Sequence, residues 1–426
     1  MSSEPSALSR KVLELRTFAQ SSFESLQSGL GNRPLAVTFG FAFLLLVAFE
    51  LQTSWVQSRA WATIARHSSF RTEAGAISAI PYPGSGPYDE RVGYSQLPSF
   101  LNRLKAADFS VEAQARVSTL YLLLSRLRIY PVYNEKDQTG LSVLDRHSKP
   151  LYTAQYPARI YEHFSQIPPL IVNSVLFIEN RQILDSRHPY QNPAIDWGRF
   201  SRALLDLGLH EIDHRYPIIG GSTLATQLEK MRHSPDGRTH SAPEKLRQMI
   251  SASLRAYQDG PDTLAQQRQI VCDYLNSIPL AAVPFRGEVF GLADGLWEWY
   301  GADFDRVNRL LNAPGNTLNQ QQQRQQALAY RRVLSLLLAA RAPSHYLVND
   351  RKALADQTNR YLRVLSKAGV ISSQLRDMAL AETPGLRVPF ISFQRTAFVG
   401  NKAPEEARTA LLRLLDLALS SATKDS

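Results

Sequence analysis

The chain has 426 residues and a formal net charge of +10. Its apolar and charged fractions are those of a globular protein, which excludes a fibrous or largely disordered chain. The single cysteine, Cys272, excludes an intrachain disulfide. The basic balance favours an anionic partner. Because there is no run of five Lys or Arg residues and no nucleic-acid-binding motif, we expect no nucleic-acid partner.

The first segment after a polar head of residues 1–33 is strongly apolar. The run from Pro34 to Phe49 is uncharged, and Leu51, Trp55 and Val56 extend it past Glu50. A membrane-spanning helix needs about 20 mainly apolar residues. We therefore predict a transmembrane anchor at residues 34–56, with a buried core helix as the alternative. Similar numbers of Lys and Arg flank the run, so the charges do not give its orientation.

The next segment, residues 57–140, predicts a small α+β juxtamembrane module and linker. The pattern from Leu97 to Tyr130 favours a helix, and Leu141 to Asp145 alternates like a strand before a turn. From Pro168 the pattern is mainly helical, and we predict a helical tail at 386–426. The Gln-rich stretch from Asn319 to Gln326 predicts a surface insertion.

Three motifs carry polar chemistry. The first is an apolar helix from Leu170 that ends at the carboxylate of Glu179, within Phe177-Ile178-Glu179-Asn180-Arg181. A partly desolvated carboxylate suits general-base work. Taken alone, however, the pattern favours a helix-end glutamate paired with Arg181.

The second motif runs from Gly220 to Lys230 and contains Gly220-Gly221-Ser222-Thr223. Two glycines let the backbone approach a ligand closely, and Ser222 or Thr223 is a good helix N-cap. A helix that starts here would offer free N–H groups to a diphosphate. The simpler interpretation is a capped helix after a loop.

The third motif is Glu244-Lys245-Leu246-Arg247-Gln248, followed by Asp273-Tyr274-Leu275-Asn276, Phe290-Gly291 and Tyr300-Gly301. Its basic residues suit a phosphate ligand, and its glycines and aromatic residues suit close packing. Taken alone, this set is an ordinary solvated helix face and a core.

Together, the order and spacing of these motifs resemble the peptidoglycan glycosyltransferase family, which includes the glycan-polymerising domain of class A penicillin-binding proteins and their monofunctional relatives. The Gly-Gly-Ser-Thr-x-x-x-Gln-Leu-x-Lys motif is intact through Gln227, Leu228 and Lys230. The resemblance extends from about residue 140 to 385 and also covers Ile167-Pro168-Pro169, Asp196, Arg202-Ala203 and Arg341-Ala342-Pro343-Ser344.

The resemblance implies a mainly α, lysozyme-like glycosyltransferase domain at 141–385 on the outer face of the cytoplasmic membrane, with residues 1–33 as a cytoplasmic head. It implies polymerisation of lipid II, the undecaprenyl-diphosphate-linked disaccharide-peptide, with cell-wall synthesis proteins as possible partners. Glu179 matches the family's catalytic base. Matches to the substrate and diphosphate site are Ser222, Thr223, Gln227, Lys230, Lys245, Arg202 and Asn276. A divalent cation such as Mg²⁺ can share in binding the diphosphate; the sequence identifies no metal ligand and no organic cofactor.

Two departures from the family pattern leave an alternative open. Asn180 stands where the family has an acidic residue, and Gln248 occupies the position of its second catalytic Glu. A glutamine forms hydrogen bonds but has no negative charge. Glu244 lies one helical turn before Gln248 and can substitute for that charge. The alternative is a catalytically impaired relative that binds lipid-linked glycan or acts as a scaffold in cell-envelope assembly.

Overall fold

The computed structural model describes residues 34–77, 86–130, 135–179, 183–196, 222–284, 287–387 and 402–415. The structural statements that follow concern these residues. Several sequence predictions lie outside them: the head at 1–33, and the positions of Asn180, Arg181, Arg202, Gly220 and Gly221.

The apolar N-terminal segment forms two helices, α1 (Pro34–Thr53) and α2 (Trp55–His67), bent by 63°. Between them, Ser54 has a left-handed backbone with φ of 55°. The carboxylate of Glu50 accepts hydrogen bonds from the N–H groups of Val56 (2.8 Å) and Gln57 (2.7 Å) and so caps α2. Among the described helices, none alone is long and apolar enough for a membrane span, whereas this bent pair is when taken together. The predicted anchor at 34–56 therefore includes the bend.

The segment after α2 contains a two-stranded antiparallel sheet, β1 (Phe70–Ala74) with β2 (Ala113–Val117), and helices α3 (Pro87–Arg91), α4 (Leu97–Ala106) and α5 (Thr119–Arg126). The mixed α and β content agrees with the predicted module. The continuous helix predicted from Leu97 to Tyr130 is wrong, because β2 pairs with β1 between two shorter helices. Pairing with a distant strand overrode the local helical pattern.

The transition to the helical domain is a hairpin of β3 (Thr139–Leu144) and β4 (Pro150–Tyr156), as the alternation and the turn at residues 146–149 predict. The helices that follow are α6 (Pro169–Ile178), α7 (Leu224–His233), α8 (Ala242–Ala256) and α9 (Leu264–Ser277). A second hairpin, β5 (Pro279–Val283) with β6 (Gly287–Phe290), precedes α10 (Leu292–Tyr300).

The C-terminal half contains α11 (Phe304–Asn312), α12 (Gln320–Ala339), α13 (Arg351–Lys367), α14 (Ser373–Ala381) and α15 (Lys402–Leu414). The Gln-rich stretch forms the start of α12. Asn319 caps this helix, since its side chain accepts from the N–H of Gln322, and the glutamines form its first turns, exposed at Gln320 and buried at Gln326. Glutamine is a good helix former, so this stretch extends the helix at little cost.

The main hydrophobic core surrounds α12, which contacts α6, α10, α11, α13 and α14. Its buried face includes Tyr330, Val333, Leu334 and Leu337. Helices α7 and α9 contribute Leu224, Val271 and Leu275 to the same core. This packing fixes the end of α6 opposite α7, and the polar residues discussed next lie there.

Candidate active site

Glu179 directly follows α6, whose apolar residues Ile171 and Val175 are buried. Its side chain is held by donors from two other elements, although the residue is only 9% exposed. Oε2 accepts a hydrogen bond from Nε2 of Gln227 at 3.0 Å, and Oε1 forms an ion pair with Nη2 of Arg341 at 3.1 Å. The carboxylate is thus held in place by α7 and by the segment after α12.

Helix α7 begins at Thr223, one of the two predicted N-caps. Oγ1 of Thr223 accepts from the N–H of Thr226 at 3.3 Å, and Oγ1 of Thr226 accepts from the N–H of Thr223 at 3.0 Å. This reciprocal pair fixes the first turn. The preceding residue, Ser222, accepts a hydrogen bond at Oγ from Nζ of Lys245 at 2.8 Å. The ammonium group of Lys245 therefore connects the first turn of α8 to the start of α7.

Lys230 supplies positive charge near Glu179, and Lys245 lies beside Lys230. Burial lowers the pKa of Lys230, while Glu179 opposes that change. Burial and the neighbouring Lys230 lower the pKa of Lys245 to about 8. Two partly desolvated cations that repel each other are stabilised by an anionic ligand.

Tyr274 and Arg341 complete the surroundings of Glu179. Burial, with a further contribution from Glu179, raises the pKa of Tyr274 well above its ordinary value, so the phenol is neutral. Burial opposes the charge of Arg341, but Glu179 outweighs it and raises the pKa of the guanidinium. Arg341 was not among the residues predicted for the site, although its Arg-Ala-Pro-Ser motif offered a signal.

Gln248 and Glu244 lie on a different side of α8 from the Lys245–Ser222 contact. The amide of Gln248 is buried and donates to Ser234 at 2.8 Å and to Thr239 at 2.9 Å. Oε2 of Glu244 accepts from the backbone N–H of His240 at 2.8 Å. Both residues line a cleft of about 230 Å³ whose described lining does not include Glu179. The structure therefore does not bring either residue to the predicted base.

Asn276, a predicted substrate contact, has its amide engaged within the protein. Its Oδ1 accepts from the N–H of Tyr161 at 2.9 Å, and its Nδ2 donates to the carbonyl of Tyr161 at 2.8 Å and to Asp137 at 3.1 Å. These contacts hold the chain after β4 against α9. In this conformation the residue has a structural role.

Asp196 is a second buried carboxylate near the start of α7. It lines a small cavity together with Thr223 and Gln267. Its position differs from that of the family's second Glu, yet it brings an acidic side chain to the same helix terminus as the predicted diphosphate site.

The site thus combines a fixed carboxylate, a capped helix start and two lysines. The family model for transglycosylases matches residues 147–368, just over half of the chain. The chain belongs to the transglycosylase family. This confirms the resemblance to peptidoglycan glycosyltransferases and agrees with the mainly helical fold. A search of curated proteins finds no match.

Helix α7 ends in a buried ion cluster. We define this cluster as Asp89, Glu135, Arg232, His233 and Arg255. Arg232 pairs with Glu135, and His233 contacts Asp89 at 2.8 Å and Glu135 at 2.6 Å. Arg255 of α8 pairs with Glu135 at 3.0 Å. Because Asp89 and Glu135 precede residue 147, the cluster connects the N-terminal module to the helix that carries Gln227 and Lys230.

The charges in the cluster stabilise one another despite burial. Burial disfavours the charged form of Glu135, but Arg255, Arg232 and His233 outweigh it and hold the pKa of that carboxyl well below its usual range. Burial also opposes the charge of His233, but Glu135 and the hydrogen bond with Asp89 raise its pKa to about 9. His233 is therefore an imidazolium at neutral pH.

A divalent cation would find few protein ligands here. Within the described residues, no group of three or more His, Cys, Asp or Glu side chains is arranged to hold a metal ion. Both oxygens of Glu179 already accept from N–H donors. The described residues of the site therefore do not form a protein cage for Mg²⁺.

Proposed function

We propose that this transglycosylase is a membrane-anchored enzyme that polymerises lipid II into glycan strands of the cell wall. The observation that carries the proposal is the fixed position of Glu179 opposite a helix start with two lysines. Gln227 and Arg341 orient the carboxylate. Lys230 belongs to α7, and Lys245 donates a hydrogen bond to Ser222 just before this helix.

In the proposed reaction, Glu179 accepts the proton of a sugar hydroxyl on the acceptor. That oxygen attacks the anomeric carbon of the lipid-linked donor chain, a new glycosidic bond forms, and the bond to undecaprenyl diphosphate breaks. The leaving diphosphate gains negative charge, which Lys230, Lys245 and the N–H groups at the start of α7 stabilise. The neutral phenol of Tyr274 adds no competing negative charge beside the base.

A magnesium ion remains part of the proposal only as a companion of the substrate's diphosphate. Mg²⁺ commonly binds through substrate phosphates with few protein carboxylates. No step described above depends on it, because the described residues supply no ligand set.

The proposed location is the cytoplasmic membrane, with α1 in the bilayer and the transglycosylase domain on its extracytoplasmic side. Support comes from the exposed apolar side chains of α1, including Phe39, Phe43, Leu46 and Phe49. The 63° bend directs α2 away from the axis of α1. Helix α2 in turn packs on α8 through Trp61 and Ala62, which would hold the domain close to the membrane surface.

A second candidate is a non-catalytic member of the family that binds lipid-linked glycan or acts as a scaffold for cell-wall synthesis proteins. The observation in its favour is Gln248, which replaces the family's second Glu and is fixed by Ser234 and Thr239. This candidate predicts substrate binding without polymer.

A polymerisation assay with labelled lipid II separates the two candidates. Detergent-solubilised wild type and the Glu179→Gln variant are incubated with lipid II and Mg²⁺, and binding of lipid II is measured in parallel. Polymer from the wild type alone supports the enzyme. Binding by both proteins without polymer from either supports the non-catalytic candidate.

A further inference from the structure

A cavity of about 360 Å³ lies where the N-terminal module meets the transglycosylase domain. One wall is α3, with Tyr88 and Arg91. The opposite walls are the turn after α7, the β5–β6 hairpin and the segment after α12, with Asp236, Glu288, Phe290 and Ser344 among the lining residues.

The cavity adjoins the proposed active site but does not coincide with it. Met231, which lines the cavity, directly follows Lys230, and Ser344 lies three residues after Arg341. Consecutive Cα atoms are about 3.8 Å apart. The Cα atom of Met231 is therefore about 4 Å from that of Lys230, and the Cα atom of Ser344 is at most about 11 Å from that of Arg341. Both α7 and the segment after α12 therefore contribute to the proposed active site and to the cavity wall.

Arg91 is the distinctive group in this cavity. Its guanidinium stacks on the ring of Phe290 at 3.9 Å. Within the described part of the chain, it forms no hydrogen bond or ion pair. Burial lowers the pKa of Arg91 and the neighbouring Arg232 adds to this, although Tyr156, Tyr88 and Glu288 oppose the change. Such a cation favours an anionic ligand group.

The rest of the lining restricts the class of that ligand. The exposed carboxylates of Asp236 and Glu288 would repel a doubly charged phosphate more strongly than a singly charged carboxylate, and they would accept hydrogen bonds from the N–H groups of a peptide. Apolar side chains, among them Val289 and Phe290, provide contacts for methyl groups. A cation, two acceptors and an apolar wall together fit a short peptide with a free carboxylate better than a phosphate or a neutral sugar.

We propose that this cavity binds the peptide arm of the lipid-linked substrate, with the peptide's terminal carboxylate on Arg91. The identity of the peptide rests on the proposed function, whereas the preference for a carboxylate-bearing peptide rests on the cavity. Because α3 lies before residue 147, the module outside the family-matched region supplies this specificity.

Calorimetric titration tests the site without requiring polymerisation. The probes are a carrier-free disaccharide-peptide with a free terminal carboxylate and the same compound with a terminal amide. We expect the wild type to bind the amide about tenfold more weakly, as loss of one charge-assisted hydrogen bond implies. Equal affinity for both probes, or binding of neither, would overturn the proposal.

Three variants assign the effect to the cavity. Arg91→Gln should bind both probes equally, while Arg91→Lys should retain the preference. Asp236→Asn removes a repulsive charge and should increase the preference for the free carboxylate over the amide; asparagine tolerates the left-handed backbone at this position, with φ of 54°. A carboxylate preference that persists in Arg91→Gln, or an Asp236→Asn variant without gain, contradicts the assignment.

A kinetic measurement separates this inference from the proposed function. If the wild type polymerises lipid II, Arg91→Gln should raise KM with little change in kcat, because the cavity does not touch the reacting atoms. If the wild type forms no polymer yet prefers the carboxylate probe, the proposed reaction fails and the peptide site stands.

Discussion

Glu179 differs from an ordinary helix-end glutamate in its partners. Gln227 and Arg341 both donate to it, and Arg341 lies 162 residues further along the chain. The sequence predicts the carboxylate, because an apolar helix ends in it and the family motif includes it. It does not predict Arg341 as the partner, because that contact depends on how α12 packs beside α6.

Lys245 should make anion binding depend on pH. Its pKa of about 8 means that it loses its proton as the pH rises through that value. We expect the affinity for inorganic diphosphate, measured relative to a Lys245→Arg variant, to fall by up to about tenfold per pH unit above about 8. The arginine variant corrects for titration of the diphosphate itself. A constant ratio between the two proteins across this range would exclude Lys245 from the anion site.

Restoring the family's acidic residue at position 248 should destabilise this protein. Gln248 is 4% exposed, and its amide donates to Ser234 and Thr239. A carboxylate there loses both donors and buries a charge, so we expect Gln248→Glu to cost about 1–3 kcal/mol in the free energy of unfolding. Chemical denaturation measures this. A Gln248→Glu variant as stable as the wild type and more active in polymerisation would show that the position is catalytic after all.

The carboxylate of Glu50 stabilises the bend between α1 and α2. Glu50 interrupts the apolar run, and the structure explains it as the cap of α2. We expect Glu50→Ala to cost about 1 kcal/mol, as loss of a helix cap does, with a smaller loss in Glu50→Gln, which retains one acceptor. Thermal unfolding in detergent compares the three proteins. Identical stability in all three proteins would mean that the Glu50 cap does not stabilise the bend.

For some other elements, the local sequence pattern is enough to predict the secondary structure. Helices α7, α8 and α13 lie in the region predicted to be mainly helical, and each begins with a side-chain N-cap, at Thr223, Ser241 and Asp350. The β5–β6 hairpin and strand β2 were not predicted, because their partners are set by chain reversal and long-range pairing. The resemblance likewise places Asn276 at a substrate site, whereas its contact with Tyr161 follows only from the packed structure.

The buried ion cluster joins the N-terminal module to helix α7 of the candidate site. The sequence shows its members only as scattered charges, because Asp89 and His233 are 144 residues apart. Arg232 lies two residues after Lys230, so the cluster holds the end of α7 that carries this lysine. The N-terminal module therefore contacts both this end of α7 and the proposed peptide cavity.

The cluster predicts a loss of stability at alkaline pH. The pKa of His233 is raised from 6.5 to about 9 on folding. Its contribution is fully present below about 6.5 and is lost as the pH rises through about 9. We expect Tm to decline between about pH 7 and 9, and this decline should be smaller in His233→Gln. Equal pH dependence in both proteins would show that His233 does not titrate in this range.

The proposed role of Glu179 as the base is tested most directly by the rate of a single glycosyl transfer by wild type and Glu179→Gln at equal lipid II occupancy. We expect the wild type to form a glycosidic bond and to release undecaprenyl diphosphate. In the variant we expect a rate lower by about 10²–10⁴-fold, with lipid II affinity little changed. Equal rates in the two proteins would contradict the role of Glu179 as the base.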